Sequence, residues 1–216
     1  MVACGDADGA VTGNTRRFGA SFEKITQVVG ARNDEIMFGL NMIVFKGKTI
    51  FVADTSVHEY PSSEEMSEIA ISAARVVRLF GIDPKVAFVS HSTFGQPLTS
   101  RTKHIKKAVD ILKDKNVDFE FDGDMQPDVA LNDEYKDLYP FSNIVGNANI
   151  LIMPGQHSAA ISYKMLKTLG DTKVIGPLLI GLGLPIEIAP LRTSTSELIN
   201  LASIAAYSAD KIDYKK

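Results

Sequence analysis

Short apolar runs alternate with amphipathic stretches along nearly the whole chain, and no other feature restricts the fold as tightly. Ile36 to Phe45 and Lys48 to Asp54 read as two strands around Lys46-Gly47. After them, "PSSEEMSEIAISAARVVRLFG" sets Met66, Ile69, Ala70, Ala73, Val77 and Phe80 on one helical face, with Ser62 and Glu65 as a capping box and Gly81 as the stop. Strands are then expected at Lys85 to Ser90, "VDFEFDG", Ala148 to Pro154 and "KVIGPLLIGL". Helices are expected at Ser100 to Lys113, Asp128 to Leu138, Ser158 to Leu169 and Ser194 to Ser208. Strand runs apolar on both faces, separated by amphipathic helices, predict an α/β fold with mostly parallel sheets covered by helices. In such sheets ligands gather beyond the carboxyl ends of the strands, here the loops His91 to Gln96, Asp122 to Gln126, Pro154 to Ser158 and Gly176 to Gly183.

Composition removes several function classes. A net charge of -3 supplies no cationic surface for a nucleic acid, whose recognition draws on clustered positive charge. The longest apolar stretch, Val174 to Leu191, is interrupted by three prolines, Glu187 and three glycines, so no membrane span is expected. A single cysteine, Cys4, cannot form an internal disulfide, which suits a reducing, cytoplasmic setting. No linker rich in Pro, Gly or Ser divides the chain, so two lobes would have to share an interwoven polypeptide.

Most candidate chemistry has a plainer reading. Asp6 and Asp8 could hold Mg²⁺, yet a tight turn also demands Asp and Gly, and no calcium-loop pattern is present. Asp128 after Pro127 suits a helix start. The four histidines form no His-x-x-x-His pair, and no metal site is expected. Gly-x-Ser-x-Gly is missing, so His91-Ser92 and His157-Ser158 read as loop polar residues rather than parts of a triad. Arg101, Lys103, Lys106, Lys107, Lys113 and Lys115 load one helix and its exit with charge that is usually just solvated. "IGPLLIGLGLP" is not Gly-x-Gly-x-x-Gly, because Leu184 and Pro185 stand where a helix would begin.

Five segments in order, "GDADG" (Gly5 to Gly9), "STFG" (Ser92 to Gly95), "FDGDMQPDVAL" (Phe121 to Leu131), "NANILIMP" (Asn147 to Pro154) and "IGPLLIGLGLPI" (Ile175 to Ile186), resemble the phosphate acetyltransferase and butyryltransferase family. "NTRRF", "FVADTSVHEYPSSEE", "STFGQP" and "YPFSNIVGNANILIMPGQHSAAIS" are closer still to the carboxy-terminal, phosphotransacetylase-like domain of bacterial NADP-dependent malic enzymes. The resemblance implies two interwoven lobes around a cleft, an architecture shared with isocitrate and isopropylmalate dehydrogenases. Residues 1-50 and 187-216 would belong to the first lobe, whose amino-terminal part is missing, and 51-186 would form the second. The helix at Ser194 to Ser208 would pack back against residues 1 to 45.

Two departures from the family pattern bear on activity. Active relatives carry Ser-Arg-Gly at the last strand's exit, ahead of a Ser-x-x-Asp-Ile helix start. Here the stretch is "APLRTSTSELIN", so Pro190 and Leu191 take the Ser-Arg positions, Arg192 comes one place late and Glu197 replaces the aspartate. Glu23 stands where relatives place a phosphate-binding arginine. Losing charge-assisted donors costs a factor of about a hundred or more each in rate. The resemblance therefore implies a non-catalytic domain with no catalytic residues, regulating and oligomerising a malic enzyme that converts malate to pyruvate and CO2. Acetyl-CoA or a related acyl-CoA would bind as effector to Arg16, Ser92, Thr93, Gly176, Pro177, Thr193, Ser194 and Asn200. NADP and a divalent metal would belong only to the part missing from this chain, and a homodimer or higher oligomer is expected. The alternative is an active acyltransferase moving acyl groups between CoA and phosphate.

Overall fold

The computed structural model describes residues 1–212 and 214. In chain order it contains β1 (Ala10–Gly13), α1 (Phe18–Thr26), β2 (Phe38–Phe45), β3 (Lys48–Ala53), α2 (Ser63–Leu79), β4 (Lys85–Val89) and α3 (Ser100–Asp114). There follow β5 (Glu120–Met125), α4 (Pro127–Leu131), β6 (Ile150–Ile152), α5 (Gln156–Leu169), β7 (Lys173–Ile180), β8 (Ile186–Ala189) and α6 (Thr195–Lys211). Six strands form one sheet in the order β5-β4-β6-β3-β2-β7. The pairs β4–β5, β4–β6 and β3–β6 are parallel, whereas β2 runs antiparallel to both β3 and β7.

Period-two alternation divides the central strands between two cores. Phe51, Val86, Phe88, Ile150 and Ile152 point to the face covered by α2 and α3, where they meet Met66, Ile69, Ala73, Val77, Ile105 and Leu112. Their neighbours Val52, Ala87, Val89, Leu151 and Met153 point the other way, onto Met125, Val129 and Ile144. Each strand is therefore apolar throughout because both faces are buried. The β2–β3 hairpin turns on Lys46 and Gly47 with φ 46° and 77°, the left-handed pair that matches the twist of a tight hairpin.

The α2 start follows its sequence signature. Ser62 Oγ accepts from Glu65 N–H, and Glu65 accepts from Ser62 N–H at 2.7 Å. The stretch expected to be one helix over 128–138 divides instead. Asn132 is extended (φ −115°, ψ 120°), and its side chain accepts from Glu134 N–H, starting a 3-10 helix at Asp133–Leu138. A local side-chain bond here competes with helix continuation.

Both chain ends meet in a second, two-stranded sheet, where β1 lies parallel to β8 from Ala10↔Ile186 to Gly13↔Ala189. Helix α6 packs on β1, β7 and β8 through Leu201 and Ala205. Its far end is clamped to α2: the Tyr207 hydroxyl donates to Leu79 O at 2.8 Å, and its ring stacks on Phe80. β2, placed with the first lobe by the sequence reading, sits inside the six-stranded sheet between β3 and β7.

Candidate functional site

At the carboxyl end of β8 the loops that follow β1 and β8 converge. Gly13 closes β1 with φ 109°, and a Cβ there would lie 2.3 Å from Ala189 O, so only glycine lets the strands meet this closely. The next residue, Asn14, donates its N–H to Ala189 O at 2.9 Å, and its side-chain oxygen accepts from Thr193 N–H at 3.0 Å. The opening loop is thereby tied to the β8 exit. Arg16 lies exposed two residues beyond this tie.

The β8 exit leads into α6 through Pro190, Leu191, Arg192 and Thr193. Arg192 is left-handed at φ 61°, and the Thr193 hydroxyl donates to Pro190 O at 2.6 Å. Ser194 caps α6 in a reciprocal box with Glu197, whose carboxylate accepts from Ser194 N–H at 2.8 Å. Lys167 on α5 reaches across to Glu197 at 2.6 Å. The lysine first, and the Ser194 backbone next, hold this carboxyl at about 2. A carboxylate so acidic stays ionised and is a poor proton acceptor at neutral pH.

On the opposite wall Gly176 has φ 123°, and a Cβ would meet Asn41 Oδ1 at 2.6 Å. Asn41 is fully buried and neither end of its amide completes a hydrogen bond, although the Tyr163 phenol approaches it. Burial raises the Tyr163 phenol above its ordinary value, and that approach partly offsets the rise. Gly176, Pro190, Leu191, Arg192, Thr193 and Lys167 enclose a recess of about 50 Å³. Sites that enclose a whole small molecule run to roughly 300 Å³ or more, so the recess by itself does not enclose a nucleotide.

The predicted residues fall into two places. Gly176 and Thr193 line the recess, Pro177 follows Gly176 in β7, Ser194 caps α6, and Asn200 lies further along that half-exposed helix. Ser92 and Thr93 belong elsewhere, at the β4 exit, on a strand separated from β7 by β6, β3 and β2. The Ser92 side chain is fully buried and its hydroxyl donates to Asp124, which also accepts from Gly95 N–H at 3.0 Å. Thr93 Oγ1 accepts from Gln126 N–H at 3.2 Å. These two residues knit the β4 and β5 exits together. Sequence reasoning missed Asn14, Asn41 and Lys167, whose roles rest on contacts 179, 135 and 30 residues away in the chain. It also missed Asp54, which is buried at the β3 exit and accepts backbone N–H groups from Gly39, Ser56, Val57 and His58. The Asp54 bond to His58 Nδ1 raises that imidazole above its usual value.

The family described as phosphate acetyl/butaryl transferase matches residues 1–206. The chain belongs to this family. An NADP-dependent malic enzyme of Rhizobium meliloti is 46% identical over 97% of the chain and 28% of its own length. A phosphate acetyltransferase of Bacillus subtilis is 30% identical over 97% of the chain and 65% of its own length. Among solved structures, a phosphotransacetylase from Streptococcus pyogenes superposes with a TM-score of 0.90 at 29% identity, over 97% of this chain and 65% of that one. The chain thus spans about a quarter of the malic enzymes it matches and two thirds of the transferases. The mixed α/β fold with a mostly parallel sheet agrees with these phosphotransacetylase structures.

Proposed function

We propose that this member of the phosphate acetyl/butaryl transferase family is the non-catalytic, acyl-CoA-binding regulatory and oligomerisation module of an NADP-dependent malic enzyme. One observation carries the reading. At the β8 exit, Pro190 and Leu191 supply neither a hydroxyl nor a cation, and the nearest carboxylate, Glu197, is neutralised by Lys167. Among the described residues lining the recess, Thr193 has the only hydroxyl, and it is spent on Pro190 O. Among the described lining residues no uncommitted base is left to take a proton from a thiol, and the cations are Lys167, already paired with Glu197, and Arg192, one place after the Pro190-Leu191 pair.

The same recess retains features suited to holding a thioester. Gly176 presents bare backbone, the α6 amino terminus directs its dipole to the recess rim, and Arg16 and Arg192 are exposed nearby for the phosphates of CoA. Oxidation of malate, with NADP and a divalent metal, is assigned to the rest of such an enzyme. An effector bound here tunes that reaction only through different affinities for two arrangements of subunits.

Thermal unfolding with acetyl-CoA, followed by sedimentation, tests binding and assembly. A ligand at a hundredfold excess over its dissociation constant adds about 2.7 kcal/mol. A raised midpoint with acetyl-CoA, but none with CoA-free acetate, is expected. No shift would reduce the module to assembly alone.

A further inference from the structure

A second cavity lies between α2, β7 and the carboxyl-terminal half of α6. Its volume is about 400 Å³, within the range of small-molecule sites. Val76, Leu79, Phe80, Leu178 and Ile204 give it apolar walls. Glu187 also lines it, though the residue is only 4% exposed. Its carboxyl accepts Leu179 N–H at 2.9 Å and forms no ion pair among the described residues. Burial pushes it up to about 8, so at neutral pH it holds its proton.

Charge at the mouth has one predominant sign. Arg75 grips Glu35 at 2.8 and 2.5 Å, and Arg32 shares the same carboxylate at 2.7 Å. Burial disfavours the ionised Glu35, but Arg75 and then Arg32 outweigh it and keep the carboxyl below its ordinary value. Two guanidiniums therefore share one negative charge, whereas Lys211, which also lines the cavity, is paired with Asp210 at 3.1 Å. Along α6 the recess described above ends at Leu201 and this cavity begins at Ile204, about 5 Å further on at 1.5 Å per residue, and the two share no lining residue. The two are separate places.

We infer that this cavity binds a small organic acid, with its apolar body between α2 and α6 and its single anionic head at the Arg75 mouth. A cation is opposed by the guanidiniums, and a sugar or bare phosphate would leave the apolar walls unmatched. Glu187, as an uncharged carboxyl, can donate a hydrogen bond to an oxygen on the ligand without repelling it.

The probe is 3-phenylpropionate, titrated into the 216-residue chain at pH 6.5 and followed by calorimetry, with 2-phenylethylamine as the matched cation. Saturable one-to-one binding of the acid at about 1 mM or tighter is expected for a ligand of this size. Arg75→Met should weaken it about fivefold or more. Ser208→Leu, which places a good helix former across the cavity, should abolish it. Arg75 is nearly half exposed, and circular dichroism melts of both variants establish that they fold. No saturable binding, an amine that binds as tightly as the acid, or acid binding unchanged in Ser208→Leu would each overturn the proposal.

Discussion

Replacing Glu187 by glutamine should make the protein more stable at pH 8 and leave it little changed at pH 4.5. The carboxyl is buried and pushed from its ordinary 4.5 up to about 8, with Leu179 N–H as its one backbone donor. Below pH 4.5 the group is protonated in folded and unfolded chains alike. Between 4.5 and 8 the unfolded chain releases the proton and the folded chain keeps it, so the folded state binds more protons and its stability falls as pH rises. At about 1.4 kcal/mol per pH unit, the interval corresponds to a loss of about 5 kcal/mol at most. Water entering the adjoining cavity reduces that figure. Glutamine has the same shape, still accepts from Leu179, and does not titrate. Urea unfolding of both proteins at pH 5, 6.5 and 8 reads the effect directly. The wild type should lose several kcal/mol relative to Glu187→Gln across the series. Parallel curves would refute the assignment of a buried, protonated carboxyl.

Other perturbations test the β8 exit and the main core. Gly13→Ala forces a Cβ to 2.3 Å from Ala189 O at φ 109° and should cost about 2 kcal/mol or more, whereas Gly5→Ala, with open space around it at φ 78°, should cost only about 1 kcal/mol; chemical denaturation compares them. Ser194→Ala removes the α6 cap and should cost about 1 kcal/mol by the same assay. Because Glu197 is held at about 2 chiefly by Lys167, its contribution is present above pH 4.5 and lost as pH falls toward 2. Lys167→Met should therefore shrink the acid-side loss of stability, as followed by circular dichroism from pH 5 to 2. Phe88→Ala, at a fully buried ring in the main core, should cost about 3 to 5 kcal/mol.

The legible parts of the fold were those governed by local pattern. Strands such as Lys85–Val89 and helices such as Ser63–Leu79 carry their burial and caps in consecutive residues, and their positions match expectation within a few residues. The β2–β3 hairpin was visible in Lys46-Gly47. β1 and β8 escaped notice because each is four residues long and is a strand only by virtue of the other. α1 escaped because Arg17 offers no side-chain cap. The same distinction separates the site residues. The helix start at Ser194 was legible in "STSEL", and that residue caps α6. Ser92, read from the sequence as a loop polar residue, donates to Asp124, and no local signal marks an acceptor 32 residues away. Lys167 reaches the recess, Asn14 reaches Thr193 and Asn41 reaches Gly176 only through tertiary packing, so spacing along the chain could not single them out.

The most direct test is acetyl transfer from acetyl phosphate to CoA, measured for this protein beside the Bacillus subtilis phosphate acetyltransferase. Under the proposed reading, in which Pro190 and Leu191 replace a hydroxyl and a guanidinium, the rate is expected to be lower by about ten-thousandfold or more. Turnover within tenfold of the transferase would contradict a cleft that binds its thioester without converting it.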